Sequence, residues 1–186
     1  MTRLSALSTL LGRPGEALRL AERHDLAQIN LRGDGSSDAF QRAVASALGA
    51  APPRAPNATA QGAECTLIWL GPDEWLVQLP YGRREQALQR LRAALQDRHA
   101  AVTDVSDGDT VLVLDHPRAC ELLSRGCPLD FDESVFPVGA CAQSVFSKTN
   151  LLLVREAPQR FAVTVRRSFA RYLYEALQDA AELDRS

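Results

Sequence analysis

The segment TLIWLGPDEWLVQL (66–79) decides the fold. Two apolar runs, residues 66–70 and 75–79, flank the residues Gly-Pro-Asp-Glu (71–74), and proline occupies the second position of the turn. Because proline presets the backbone for that position, the segment predicts a β-hairpin. Each strand carries one tryptophan, Trp69 or Trp75, and alternation favours a core position for at least one of them. A ligand platform or part of an interface is the alternative for the pair.

The residues on either side of this hairpin extend it into a larger unit. Downstream, residues 84–98 repeat apolar side chains at helical spacing, and the β-branched run 101–106 predicts a strand. Upstream, residues 26–32 alternate like a half-buried strand, and residues 38–48 predict a helix that ends at Gly49. The segment 50–63, rich in proline and alanine, is expected to be a surface loop. Residues 26–106 therefore predict the β-α-β-β-α-β order of a ferredoxin-like unit.

The second half of the chain predicts another unit of the same kind. The dipeptide Asp107-Gly108 predicts a hairpin turn between the runs VTDVS and TVLVLD, and Pro117 precedes a short helix. Three further strands are expected at 140–146, 151–156 and 161–165, followed by an amphipathic helix at 167–182. The predicted fold class is thus α+β, with two ferredoxin-like units of about 26–106 and 109–182. They are expected to fuse into one domain, 26–186, after an N-terminal extension, 1–25.

Composition excludes several classes of protein. The chain has 186 residues, of which 46% are hydrophobic, and this fits a single domain. With 21 basic and 23 acidic residues and no block of like charge, neither nucleic acid nor a membrane is an expected partner. The N-terminal apolar run is interrupted too early for a secretory signal, and no run is long enough to span a membrane. We therefore expect a cytoplasmic protein.

The sequence lacks the common motifs of catalytic and cofactor sites. It contains no dinucleotide fingerprint, phosphate loop, zinc-protease motif or serine-nucleophile motif. The four cysteines and three histidines do not have the spacing of metal ligands. Ser106, between Asp104 and Asp107, resembles a hydroxyl next to an acid, but a turn uses the same residues for local hydrogen bonds. No catalytic, cofactor-binding or metal residue is expected in this chain.

Five strings of sequence carry a resemblance to a known family. They are INLRGD (29–34), WLGPDEWLV (69–77), VTDVS (102–106), RGCPLDFDESVFPVGAC (125–141) and VRRSFARYLYEAL (165–177). In this order they resemble the gamma subunit of heterotetrameric sarcosine oxidase. That family commonly continues Asp-Val-Ser with histidine and a basic residue, whereas this chain continues with Asp107-Gly108. The family is similar in fold to the folate-binding domain of the glycine-cleavage aminomethyltransferase.

The resemblance implies a role in one-carbon metabolism and sarcosine catabolism. It implies a non-catalytic gamma subunit with a structural and assembly role, whose partners are the alpha, beta and delta subunits of sarcosine oxidase. The complex oxidises sarcosine to glycine, forms hydrogen peroxide, and releases formaldehyde or transfers the carbon to tetrahydrofolate. No cofactor is expected in this chain; FAD, FMN, NAD and tetrahydrofolate are expected in the other subunits. The alternative is a stand-alone folate-binding or aminomethyltransferase-like protein.

The loop SRGCPLDFDESVFPVG (124–139) is the candidate contact with a partner subunit. Its two prolines, Pro128 and Pro137, bracket three acidic residues and exclude a continuous helix or strand. The candidate interface residues are Phe131, Phe136, Asp130 and Asp132. Both rings have few apolar neighbours along the chain, so they either face a partner or fold back onto the core of their own domain.

Overall fold

The computed structural model describes residues 5–7, 18 and 20–182, and their contacts divide them into two units. Unit I is residues 25–106, and unit II combines the described residues up to 24 with residues 107–182. The boundary at residue 106 agrees with the boundary that the repeated strand and helix pattern predicts. That the two units form one domain stays a prediction.

Ten strands and four α-helices occur in the described residues. In chain order they are β1 (Leu20–Glu22), β2 (Leu26–Arg32), α1 (Asp38–Leu48), β3 (Thr59–Gln61), β4 (Thr66–Gly71), β5 (Glu74–Pro80), α2 (Arg84–Leu95), β6 (Ala101–Asp104), β7 (Asp109–Asp115), α3 (Ala119–Ser124), β8 (Cys141–Phe146), β9 (Thr149–Ala157), β10 (Arg160–Arg166) and α4 (Ala170–Glu182). Single 3-10 turns, Tyr81–Arg83 and Arg167–Phe169, lead into α2 and α4.

Unit I has a five-stranded antiparallel sheet with the order β3-β4-β5-β2-β6. The predicted hairpin is confirmed as β4 and β5, in which Trp69 lies opposite Trp75. The predicted β-α-β-β-α-β order is confirmed by β2, α1, β4, β5, α2 and β6. The prediction of an uninterrupted loop at 50–63 is wrong, because Thr59–Gln61 pairs with Thr66–Ile68 and adds strand β3 at the edge.

Both helices of unit I pack on one face of this sheet. The ends of α1 follow from local chemistry: Ser37 accepts a hydrogen bond from the Phe40 N–H, and Gly49 adopts a left-handed conformation with φ of 82°. Helices α1 and α2 bury their apolar stripes against alternate residues of β2 and β5. The core of unit I consists of Ala27, Ile29, Leu31, Phe40, Val44, Ala47, Leu48, Cys65, Leu67, Trp75, Val77, Leu79, Ala87, Leu88, Leu91 and Leu95.

Unit II repeats the same strand arrangement. Its sheet has the order β1-β7-β10-β9-β8, so β7, β9 and β10 occupy the places that β2, β4 and β5 occupy in unit I. The predicted strands at 140–146, 151–156 and 161–165 are confirmed as β8, β9 and β10. The predicted helix at 167–182 begins as an α-helix only at Ala170, after a 3-10 turn. The place next to β7 that corresponds to β6 in unit I is filled by β1.

Strand β1 comes from the segment that the sequence predicts to be an N-terminal extension. Leu20 to Glu22 pair with Leu114 to Leu112 of β7, and Leu7 and Leu18 are buried in the core of unit II. The interpretation as an extension is therefore wrong for these residues, because their apolar side chains complete a sheet whose partner strand lies far along the chain. The other residues of the segment 1–25, apart from 5–7, 18 and 20–25, lie outside the described residues.

The Glu22 carboxylate holds the start of the described chain against unit II. It accepts hydrogen bonds from the Ser5 hydroxyl, from the Ala6 and Leu7 N–H groups (2.9 and 3.2 Å) and from the Thr110 hydroxyl (2.6 Å). Burial alone would raise the pKa of Glu22, but these hydrogen bonds outweigh burial and lower the pKa. Glu22 is thus an ionised anchor for this segment.

The predicted hairpin at Asp107-Gly108 is wrong. Strand β6 pairs with β2 in unit I, and β7 pairs with β1 and β10 in unit II, so residues 105–108 connect two different sheets. The dipeptide reverses the chain in many hairpins, but the pairing of a strand depends on which apolar strand completes its sheet. Here β6 completes the sheet of unit I beside β2, and β7 completes the sheet of unit II between β1 and β10.

Candidate functional site

The loop between α3 and β8 is held by backbone hydrogen bonds within the loop and to strand β9. The Val135 and Phe136 N–H groups donate to the Asp132 carbonyl oxygen, at 3.0 and 2.8 Å, and form a single tight turn. At the end of the loop, the Gly139 N–H donates to the Arg155 carbonyl oxygen at 2.8 Å. As predicted from the two prolines, the loop contains neither a helix nor a strand.

Both phenylalanines of the loop point into unit II. Phe131 and Phe136 are each only 6% exposed. Their rings contact Phe161 of β10, with centroids 5.6 and 6.4 Å from that ring, and the two loop rings are 6.1 Å apart. Such aromatic pairs add about 0.5–1.5 kcal/mol beyond the burial of their area. The rings therefore pack in the core of their own unit, which is one of the two alternatives that the sequence left open, and their contact with a partner subunit stays a prediction.

A buried arginine beneath the loop fixes its backbone. The side chain of Arg155 in β9 donates through Nη1 to the carbonyl oxygens of Phe131 and Phe136, at 3.0 and 2.6 Å, and through Nη2 to that of Pro158, at 2.7 Å. Its guanidinium carbon lies 5.5 Å from the centroid of Phe161. Arg155 is 3% exposed, and it joins the loop to the turn between β9 and β10.

Sequence reasoning missed this role of Arg155. The only signal is an arginine at the end of the apolar run LLLV (151–154), at a position where a strand expects a core residue. The three carbonyl groups that it binds are 19, 24 and 3 residues away in sequence. The pairing of Arg155 with these groups therefore has no local sequence pattern.

The acidic residues of the loop remain on its outer side. Asp130 and Asp132 are both exposed, and each uses one carboxylate oxygen to order the loop. Asp130 accepts from the Asp132 N–H at 2.9 Å, and Asp132 accepts from the Ser134 hydroxyl and N–H at 2.6 and 2.9 Å. The Ser134 hydroxyl and N–H lower the pKa of Asp132. Whether these residues contact a partner subunit stays a prediction.

Two large apolar side chains share this outer side. Val135 is 61% exposed and Val138 is 45% exposed. They stand on either side of the buried Phe136, so the loop alternates between core and surface. The exposed residues of the loop therefore include acids and valines, with the phenylalanines buried beneath them.

The two tryptophans of the hairpin have different surroundings. Trp75 is fully buried, donates its indole N–H to the Pro53 carbonyl oxygen at 2.9 Å and packs against Phe40 with ring centroids 5.6 Å apart. Trp69 is half-buried beside the core. Trp75 is thus a core residue, which agrees with the expectation for at least one of the pair.

Ser106 and Asp104 make structural hydrogen bonds. The Ser106 hydroxyl donates to Asp104 Oδ1 at 2.6 Å and accepts from the Gln28 N–H at 3.0 Å. The Ser106 N–H also donates to Asp104 Oδ1, at 3.0 Å. These bonds fasten the end of β6 to β2, as expected for local hydrogen bonds rather than for a nucleophile and its base. Both ends of unit I therefore lie next to each other.

Within residues 5–7, 18 and 20–182 no cluster of three or more histidine, cysteine or acidic side chains has a metal-binding arrangement. All four cysteines are free thiols, and Cys120 is the one that is not fully buried. His24 and His99 are exposed, and His116 accepts a hydrogen bond from the Arg118 N–H at the start of α3. An open pocket of about 260 Å³ in unit I is lined by Asp34, Ser37, Phe40, Asp97, Arg98 and His99.

None of the helices in the described part of the chain has the length and apolarity needed to cross a membrane.

Comparison with known proteins identifies the family. A family model described as the sarcosine oxidase, gamma subunit family matches residues 32–182. The chain is 32% identical over 170 residues to a sarcosine oxidase subunit gamma of Corynebacterium sp. (strain P-1), covering 91% of this chain and 82% of that protein. A sarcosine oxidase subunit gamma of Arthrobacter sp. matches with the same identity and coverage.

Solved structures agree with the sequence match. A chain of the heterotetrameric sarcosine oxidase from Corynebacterium sp. U-96 in complex with pyrrole 2-carboxylate superposes with a TM-score of 0.81 at 29% identity, over 90% of this chain and 86% of that chain. The glycine cleavage system aminomethyltransferase T from Bartonella henselae superposes with a TM-score of 0.65 at 14% identity, over 85% of this chain and 44% of that chain. The second match confirms the expected aminomethyltransferase-like fold. On the sequence and structure matches together, the chain belongs to the sarcosine oxidase gamma subunit family.

Proposed function

We propose that this chain is the gamma subunit of a heterotetrameric sarcosine oxidase and that its role in the complex is structural. The observation that carries the proposal is the match to gamma subunits over most of the chain, together with the superposition on a chain of a heterotetrameric sarcosine oxidase. Its partners would be the alpha, beta and delta subunits, and the complex would work in the cytoplasm.

In this proposal the chemistry resides in the partner subunits. They would hold FAD, FMN, NAD and tetrahydrofolate and would oxidise sarcosine to glycine. The products would be hydrogen peroxide and either formaldehyde or methylene-tetrahydrofolate. The gamma chain would contribute folded surface that keeps the other subunits in their working arrangement.

Two carboxylates of unit II, Glu121 and Glu156, serve as ion-pair partners of arginines. Burial alone would raise the pKa of Glu156, but the hydrogen bonds and charges of Arg23 and Arg160 outweigh burial and lower it. The hydrogen bond of Arg118, with a smaller contribution from Arg125, lowers the pKa of Glu121 to about 2. These carboxylates are ion-pair partners that remain ionised.

Co-expression tests the proposal directly. An affinity-tagged copy of this chain is produced together with the alpha, beta and delta chains of its own organism, and the tag is used for purification. We expect all four chains in equal amounts, a flavin absorbance spectrum, and peroxide formation that depends on sarcosine. The same chain produced alone serves as the control, and we expect it to be colourless and inactive towards sarcosine.

Two outcomes would contradict the proposal. Recovery of the tagged chain without its partners, under conditions in which the partners are soluble, would contradict the role as a subunit. Tight binding of tetrahydrofolate to the isolated chain, with turnover of an aminomethyl donor, would instead favour a stand-alone aminomethyltransferase-like protein. Isothermal titration with tetrahydrofolate, followed by an activity assay, distinguishes this second outcome from the first.

A further inference from the structure

We draw no further inference here: the strongest candidate, the open pocket of unit I between the start of α1 and the turn after α2, has charged side chains of both signs that are all exposed to solvent, and nothing in the structure identifies a ligand for it.

Discussion

Replacing Arg155 by methionine removes the buried guanidinium that fixes the loop between α3 and β8. Methionine retains the length and the apolar stem of the side chain, so the change isolates the polar head. Three carbonyl groups, those of Phe131, Phe136 and Pro158, then lose their donor. The bonds to Phe131 and Phe136 are buried, so solvent does not replace them without opening the loop, whereas the bond to the exposed Pro158 is partly accessible to water.

The expected loss of stability follows from these three hydrogen bonds. A hydrogen bond to a charged group contributes about 1.5–3 kcal/mol, and the desolvation of the buried guanidinium, which methionine avoids, offsets part of the sum. We expect a net loss of about 2–4 kcal/mol in the free energy of unfolding. For a chain of this size that corresponds to a decrease of roughly 5–15 °C in melting temperature. Arg155→Lys keeps the charge but not the planar fork, so its loss should be intermediate.

Thermal unfolding by circular dichroism measures the effect, with Arg171→Met as the control. Arg171 is exposed, and its ion pair with Glu175 spans one turn of α4, so its loss should be below about 0.5 kcal/mol. Hydrogen exchange should in addition become faster at residues 131–136 in the Arg155→Met variant. A melting temperature within about 2 °C of wild type, which is roughly 1 kcal/mol, would refute the assignment of Arg155 as the clamp of the loop.

Three further predictions concern the core, a helix end and pH. Trp75→Ala should lower the free energy of unfolding by about 3–5 kcal/mol, because it removes a fully buried ring. Trp69→Ala should lower it clearly less, because Trp69 is only half-buried. Equal losses in chemical denaturation would contradict the assignment of Trp75 to the core. Gly49→Ala should lower the free energy of unfolding by about 1–2 kcal/mol, because alanine is strained at this left-handed position. An unchanged denaturation midpoint would argue against the left-handed conformation of Gly49. The pKa of Glu22 lies below the usual glutamate value of 4.5, so its ionised form stabilises the fold above that pH, and the contribution disappears as the pH falls through the lowered value. The stability advantage of wild type over Glu22→Gln should therefore shrink on acidification from about pH 6 to pH 3, and a constant difference in urea midpoints would exclude this role.

The sequence allowed most of unit I to be predicted because its signals are local. The turn at Pro72, the helical spacing of α1 and α2, and the stop at Gly49 each lie within a few residues of the structure that they determine. Strand β3 was missed because three half-exposed or exposed residues, Thr59 to Gln61, carry no apolar pattern. Their strand conformation depends on pairing with β4.

The errors in unit II have one physical cause, which is that distant partners decide the outcome. Nothing in the sequence around Leu20 indicates that it forms a strand, because the strand depends on pairing with β7. Asp107-Gly108 has the residues of a hairpin turn, although its flanking strands belong to different sheets. The environment of Phe131 and Phe136 depends on Phe161 and Arg155, which come from two later strands. From the composition of the loop alone, the two rings could lie in the core or at an interface. In the structure they lie in the core of unit II.

The strand pairing of β1 has a consequence for the order in which the chain folds. Unit I is topologically an insertion between β1 and β7, which are separated by roughly 86 residues of sequence. Its own first and last strands are neighbours, and Ser106 bonds to Gln28, so once unit I has folded its two ends meet. The effective loop between β1 and β7 then shrinks to about eight residues. The entropic cost of closing that loop, expressed as a free energy, falls by about 2 kcal/mol. Folding of unit I before unit II would therefore bring β1, the first strand of the described residues, close to β7, the strand with which it pairs.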